Sequence, residues 1–151
     1  MSKLRFTLLA VLLMLLFLAA CGGKAGEVKT DLGQEFSLSI GQTASIQSEQ
    51  LKIKFLEVVN DSRCPGRVMC FWQGQASCLV EITYLESLNK VTLTQPGLTE
   101  EPSRLDFNDY VIQFNLTPYP EAGKVIKNSD YRLQVVITKP PLSSESAALP
   151  K

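Results

Sequence analysis

Between residues 36 and 137 the chain alternates repeatedly between apolar and polar side chains. Phe36, Leu38 and Ile40 are separated by Ser37 and Ser39; a Gly41-Gln42 turn follows, and Ala44 and Ile46 resume the spacing. Leu51, Ile53 and Phe55 carry it on around Lys52 and Lys54, and the phase slips near Leu56-Glu57-Val58, as a β-bulge requires. Ala76, Cys78, Val80, Ile82 and Tyr84 share a face, with Ser77, Glu81 and Thr83 opposite. A break at Ser87-Leu88-Asn89-Lys90 precedes Val91 and Leu93. Tyr110, Ile112, Phe114 and Leu116 run up to Pro118-Tyr119-Pro120, and Tyr131, Leu133, Val135 and Ile137 run up to Pro140-Pro141. A period of two puts these apolar side chains on one face of a strand. Several such runs divided by Gly, Pro and Asn turns predict an all-β fold, a single antiparallel β-sandwich or barrel-like domain over residues 35–139. No stretch of this region sustains a 3.6 period through three turns. Residues 95–104 read as a loop and residues 140–151 as a disordered tail.

The first twenty residues follow another pattern. Lys3 and Arg5 precede a segment, Phe6 to Leu18, that is apolar except for Thr7, and Ala19 and Ala20 follow. A basic start, a short apolar core and small residues before a cut describe an export signal. The core is also too short to span a bilayer as a helix, which takes about 20 residues. Leu18-Ala19-Ala20-Cys21 resembles the lipobox of bacterial lipoproteins, which implies cleavage before Cys21 and acylation of its sulfur. Two or three acyl chains give stable attachment where one does not. Residues 21–34 then read as the lipidated cysteine and a tether of glycine and charge, short enough to keep the domain near the membrane. Gly22 stands where many lipoproteins of enteric bacteria retained at the inner membrane have aspartate; that resemblance implies the outer membrane where one exists, and in a single-membrane cell the anchor faces outward from the cell membrane.

Removing residues 1–20 takes two of the 15 basic residues and none of the 15 acidic ones, leaving 13 against 15 and a net charge of −2. With no basic stripe, nucleic acid is not an expected partner. The chain contains no histidine, so the commonest general base and the commonest transition-metal ligand are both missing. No Gly-rich phosphate loop and no calcium-loop spacing occurs around Glu100, Glu101, Asp106 and Asp109. No cofactor or metal is expected.

Distinctive chemistry is concentrated in residues 61–74, DSRCPGRVMCFWQG. In an exported chain cysteine pairing is the first expectation. With Cys21 lipidated, Cys64, Cys70 and Cys78 remain. A Cys64–Cys70 disulfide is favoured, because Pro65-Gly66 turns the chain back while Cys78 lies on the inward face of a strand, where an unpaired thiol is a small hydrophobe. Redox exchange, a zinc site completed by Asp61, and free thiols are the competing readings; a thiol nucleophile would lack its histidine. Asp61 and Arg63, two residues apart, are expected to form an ion pair within the loop. Phe71 or Trp72 is expected to pack over the disulfide and cap the core, with Trp72 as an exposed binding anchor the alternative. Tyr119 is expected to fold onto the core and is the second candidate anchor.

The segment Asp61-Ser62-Arg63-Cys64-Pro65, followed by Cys70, Trp72 and Gly74, resembles the DSRCP and C-x-W-x-G signature of a family of small uncharacterised bacterial envelope proteins. Gly41-Gln42, Pro118-Tyr119-Pro120 and Asp130-Tyr131 are similar to that family too, while Cys78 replaces an expected aliphatic residue. The resemblance implies an exported, often lipidated β domain with a cysteine loop, and no established activity. Three functions follow as expectations: a lipid-anchored module binding an envelope protein or glycan, a protease inhibitor presenting loop 64–70, or a carboxylate-based hydrolase. The first is favoured, and the chain is not expected to be an enzyme.

Overall fold

The computed structural model describes residues 26–99 and 101–140. The expected signal segment, the lipidation at Cys21 and the tail beyond residue 140 lie outside the described residues. Among the described residues nine strands form two sheets: β1 (Val28–Thr30), β2 (Glu35–Ser39), β3 (Thr43–Ile46), β4 (Leu51–Asp61), β5 (Gln75–Tyr84), β6 (Ser87–Pro96), β7 (Ser103–Phe107), β8 (Tyr110–Thr117) and β9 (Arg132–Thr138). One sheet has the order β1-β3-β4-β5-β6 and the other β2-β9-β8-β7. The fold is a β-sandwich, not a closed barrel.

The alternating runs are the strands, and their apolar positions face the other sheet. Ile53, Phe55, Val80 and Ile82 from one sheet, and Leu38, Ile112, Leu133 and Val135 from the other, are all buried in one core. Cys78 is among them. The phase slip in β4 is real and double: register shifts fall between Phe55 and Glu57 and between Val58 and Asn60. The first shift keeps Val58 inward, opposite Cys78; the second brings Asp61 to the inner face opposite Ala76 and leaves Val59 exposed, and each increases the local twist.

Four expectations are corrected. The break at Ser87–Lys90 is strand: Tyr84 pairs with Ser87, and the turn is the two-residue Leu85-Glu86, with φ of 46° and 66°. That backbone matches strand twist and usually takes Asn or Gly, so the sequence hides it. The loop at 95–104 shrinks to 97–102, because β6 runs to Pro96 and β7 starts at Ser103. The tether at 21–34 ends earlier, since Val28–Thr30 is β1, paired with β3. That β1–β3 pairing is parallel, so the sandwich is not wholly antiparallel.

The directions of the strands define two ends. β4 runs away from Leu51 toward Asp61, and β3 runs against it, with Ile46 opposite Leu51. β1 runs parallel to β3. The chain therefore comes into the sandwich from the Asp61 end, which also carries the loops 62–74, 97–102 and 118–131. We call this the loop end. β9 begins at the loop end, beside Ser39 and Thr117, and leaves at the opposite, far end. The far end is closed by Glu49, whose carboxylate accepts from Tyr110 Oη at 2.7 Å and pairs with Lys139 Nζ at 2.7 Å. Lys139 and Tyr110 hydrogen-bond Glu49 and hold its carboxyl below the usual range. Burial and the same carboxylate push the Tyr110 phenol up to about 12.

Candidate functional site

Loop 62–74 prolongs the β4–β5 hairpin. Ser62 N–H donates to Gln75 O at 2.8 Å and Cys64 N–H to Gln73 O at 2.9 Å, so the ladder continues beyond both strands. Gly74 makes this possible: its φ is +64°, and a Cβ there would sit 1.8 Å from Ser62 O. Gly97 allows the next strand to close up, since its Cβ would lie 2.0 Å from Gln73 O. The loop is tied to its neighbour by Gly66 N–H donating to Pro120 O at 3.0 Å. Cys64 and Cys70 form a disulfide with a Cα separation of 6.0 Å. Cys78 is free and buried, and burial raises its thiol to about 12.

Beneath the loop lies a polar knot built on Arg63. Its Nε donates to Asp61 Oδ1 at 2.9 Å and its Nη2 to Asp61 Oδ2 at 2.7 Å, a two-pronged pair. The Arg63 side chain is fully buried. The expected ion pair is therefore present, and its reach is longer than the spacing of two residues indicated. Nη1 donates to Leu116 O at 2.7 Å and Nη2 to Pro118 O at 3.0 Å. The guanidinium lies 5.0 Å from the centre of the Tyr119 ring. Tyr131 Oη completes the knot by donating to Asp61 Oδ2 at 3.1 Å. Burial alone would push the Asp61 carboxyl up, but the Arg63 hydrogen bonds and charge, with help from Tyr131, outweigh it and hold the carboxyl below its usual range.

Arg63 and Gln95 together replace a missing strand. β7 stops pairing at Ser103↔Phe114, leaving the edge of β8 uncovered from there on. Leu116 N–H donates to Gln95 Oε1 at 2.7 Å while Leu116 O accepts from Arg63. Gln95 Nε2 donates to Asn115 Oδ1 at 2.6 Å. A side chain from loop 62–74 and one from β6 thus satisfy a backbone edge of the other sheet, as buried polar groups require. Gln95 was not singled out by the sequence; the one signal was a glutamine at an inward-facing position after Val91 and Leu93.

Trp72 lies elsewhere than expected. It is 76% exposed and Phe71 is 95% exposed, so neither caps the core. The two rings meet edge to face with centroids 5.1 Å apart. Met69 beside them is also fully exposed. Tyr119, by contrast, is half-buried under Arg63, and its hydroxyl accepts from Leu98 N–H at 3.0 Å. The structure brings Asp61, Arg63, Tyr119 and Tyr131 together and leaves Trp72 outside the cluster. Among the described residues no three His, Cys, Asp or Glu side chains gather where a metal could sit. The two carboxyls held below their usual range, Glu49 and Asp61, lie at opposite ends of the sandwich, each against a cation.

Comparison with known proteins gives no significant match among protein-family models, curated proteins or solved structures. The fold and the site define a β-sandwich with a disulfide-closed loop that exposes Met69, Phe71 and Trp72.

Proposed function

We propose that this chain is a lipid-anchored envelope protein that works as a binding or accessory module, with the loop end as its contact face. The observation that carries this reading is the exposure of Met69, Phe71 and Trp72 on a loop whose base is fixed by a disulfide, a ladder and the Arg63 knot. A loop fixed in advance loses little freedom on binding, and exposed aromatic side chains are the commonest binding anchors. The lipobox-like Leu18-Ala19-Ala20-Cys21 supports the anchor, and the cysteine-loop signature supports an envelope domain. Catalysis finds little support. Asp61 and Glu49 are engaged by cations, and histidine is absent from the chain.

The exposed, disulfide-closed loop 64–70 also supports a second reading, presentation to an extracellular protease. Photo-crosslinking in native membranes from Met69, with Val59 on β4 as the control, separates the readings. The binding module labels an envelope component from Met69 and not from Val59; an inhibitor labels a protease and blocks its turnover. Turnover of an envelope substrate that is lost on replacing Asp61 and Glu49 would overturn both.

A further inference from the structure

Among the described residues nine large apolar side chains are exposed, and six of them, Val68, Met69, Phe71, Trp72, Leu98 and Val125, belong to the three loops of the loop end. Scattered exposed apolar residues need no explanation, but a crown of them on one end marks a contact surface. Loop 62–74 contains Arg63, paired within the fold, and the exposed Arg67, and no acidic residue. The other two loops carry the exposed Glu101, Glu121 and Asp130 with Lys124 and Lys127, so the surplus of positive charge is confined to loop 62–74. We infer that this crown rests on the lipid surface, with Phe71 and Trp72 at the level of the headgroups. The inference rests on the lipid-anchor reading above and gives its contact face a partner.

Chain direction and tether length point to lipid and not to a protein partner. β1 runs away from the loop end, so its first residue, Val28, points its N-terminal side toward the end that carries the crown, and Cys21 lies seven residues before it in the chain. Those seven residues (28 − 21) reach at most about 25 Å at full extension. Val28 is level with Ile53 through Ala44. Ile53 pairs with Ile82 and Asp61 with Ala76, so the ladder from that level to the loop covers six residues of β5, about 20 Å. The hairpin then continues to the Cys64–Gln73 pair. From Ile82 to Gln73 is nine residues (82 − 73), about 30 Å, so the crown projects farther toward the membrane than the about 25 Å that the anchor can reach. With its strands upright on so short a tether, the domain has its apolar tip at the surface. Trp and exposed basic side chains suit that interface, where the indole keeps its N–H in water and a cation meets anionic headgroups.

Trp72 is the only tryptophan in the chain, so its fluorescence reports this loop alone. The test uses the full lipidated protein, purified from membranes and reconstituted into phosphatidylethanolamine–phosphatidylglycerol vesicles with or without brominated acyl chains. Mass analysis of Cys21 runs alongside. The expected result is acylated Cys21, Trp72 emission shifted to shorter wavelength, quenching by brominated lipid, and protection from iodide. The variant Met69→Ser/Phe71→Ser keeps the reporter and alters only exposed side chains; it is expected to stay lipidated, lose the lipid quenching and gain iodide quenching. Unmodified Cys21 overturns the anchor reading and this inference together. Acylated Cys21 with Trp72 open to iodide and untouched by brominated lipid overturns the docking alone. Trp72 shielded from both quenchers also overturns it, because a protein surface or a second copy then covers the loop.

Discussion

The Arg63 guanidinium is joined to Asp61 by two hydrogen bonds of 2.9 and 2.7 Å, and it also holds the backbone carbonyls of Leu116 in β8 of the opposite sheet and of Pro118 just beyond it. One side chain therefore fixes the base of loop 62–74, the end of β8 and the start of the following loop. Replacing it leaves two carbonyls without partners and a buried carboxylate without its counter-charge, held only by Tyr131 Oη and the backbone N–H of residue 63. Arg63→Ala is expected to cost about 3–5 kcal/mol in a urea melt, the range for breaking a buried pair from one side. Arg63→Lys is expected to recover only part of the loss, because a point charge cannot reproduce the planar fork.

Acid should weaken the same knot. The folded Asp61 carboxyl is held below its usual range, and an unfolded aspartate titrates near about 3.9. The unfolded chain thus binds the proton first on acidification, so the stabilisation is complete above about pH 4 and is lost as pH falls through the lower folded value. Thermal melts between pH 6 and pH 2 should show this slope. The double variant Asp61→Leu/Arg63→Met should show a shallower one, whatever its overall stability.

Gly74 should tolerate nothing larger. With φ at +64° and Ser62 O 1.8 Å from a would-be Cβ, Gly74→Ala combines backbone strain with a clash against main chain. It is expected to destabilise the domain by more than about 1 kcal/mol, and Cys70 should become more easily reduced as the ladder under the loop opens.

The cysteines should behave in two distinct ways. Cys78 is buried, with its thiol pushed up to about 12, so a thiol reagent near neutral pH should label it only at the rate of unfolding. Removing the disulfide with Cys64→Ser/Cys70→Ser should cost about 2.4 kcal/mol, from the entropy of a seven-residue loop. A non-reducing peptide map joining Cys78 to either partner would contradict both expectations.

Trp72→Ala, in contrast, should leave stability within about 0.5 kcal/mol, as substitutions at exposed sites without special contacts do. A loss of several kcal/mol in the melt would mean that the indole is packed after all.

How far the sequence disclosed this molecule depended on the range of the forces involved. The strands β4, β5, β8 and β9 were legible because Ile53, Val80, Ile112 and Leu133 each lie on a simple alternation facing one core. The first half of β6 was not, because Ser87 to Lys90 are exposed and are held only by their register with β5. Cys64–Cys70 was legible as a short closure around Pro65-Gly66. Trp72 misled, since an indole two residues past a cysteine announces apolar surface without showing whether any core lies within reach. Arg63 was half legible: Asp61 is two residues away, but Leu116 and Pro118 lie 53 and 55 residues further along the chain, and only the folded sheets bring their carbonyls to it.

The parallel edge strand β1 gives the domain a preferred direction of mechanical resistance. It joins β3 over three register pairs, Val28↔Ala44 to Thr30↔Ile46. A pull on the chain before Val28, directed past the loop end, acts along the strand axis and loads those pairs together, in shear. A pull across the sheet, away from β3, opens them one after another, as a zipper does. A force on the N-terminal end of β1 along the strand axis therefore meets the stiffer of the two geometries, while a sideways tug meets the weaker one.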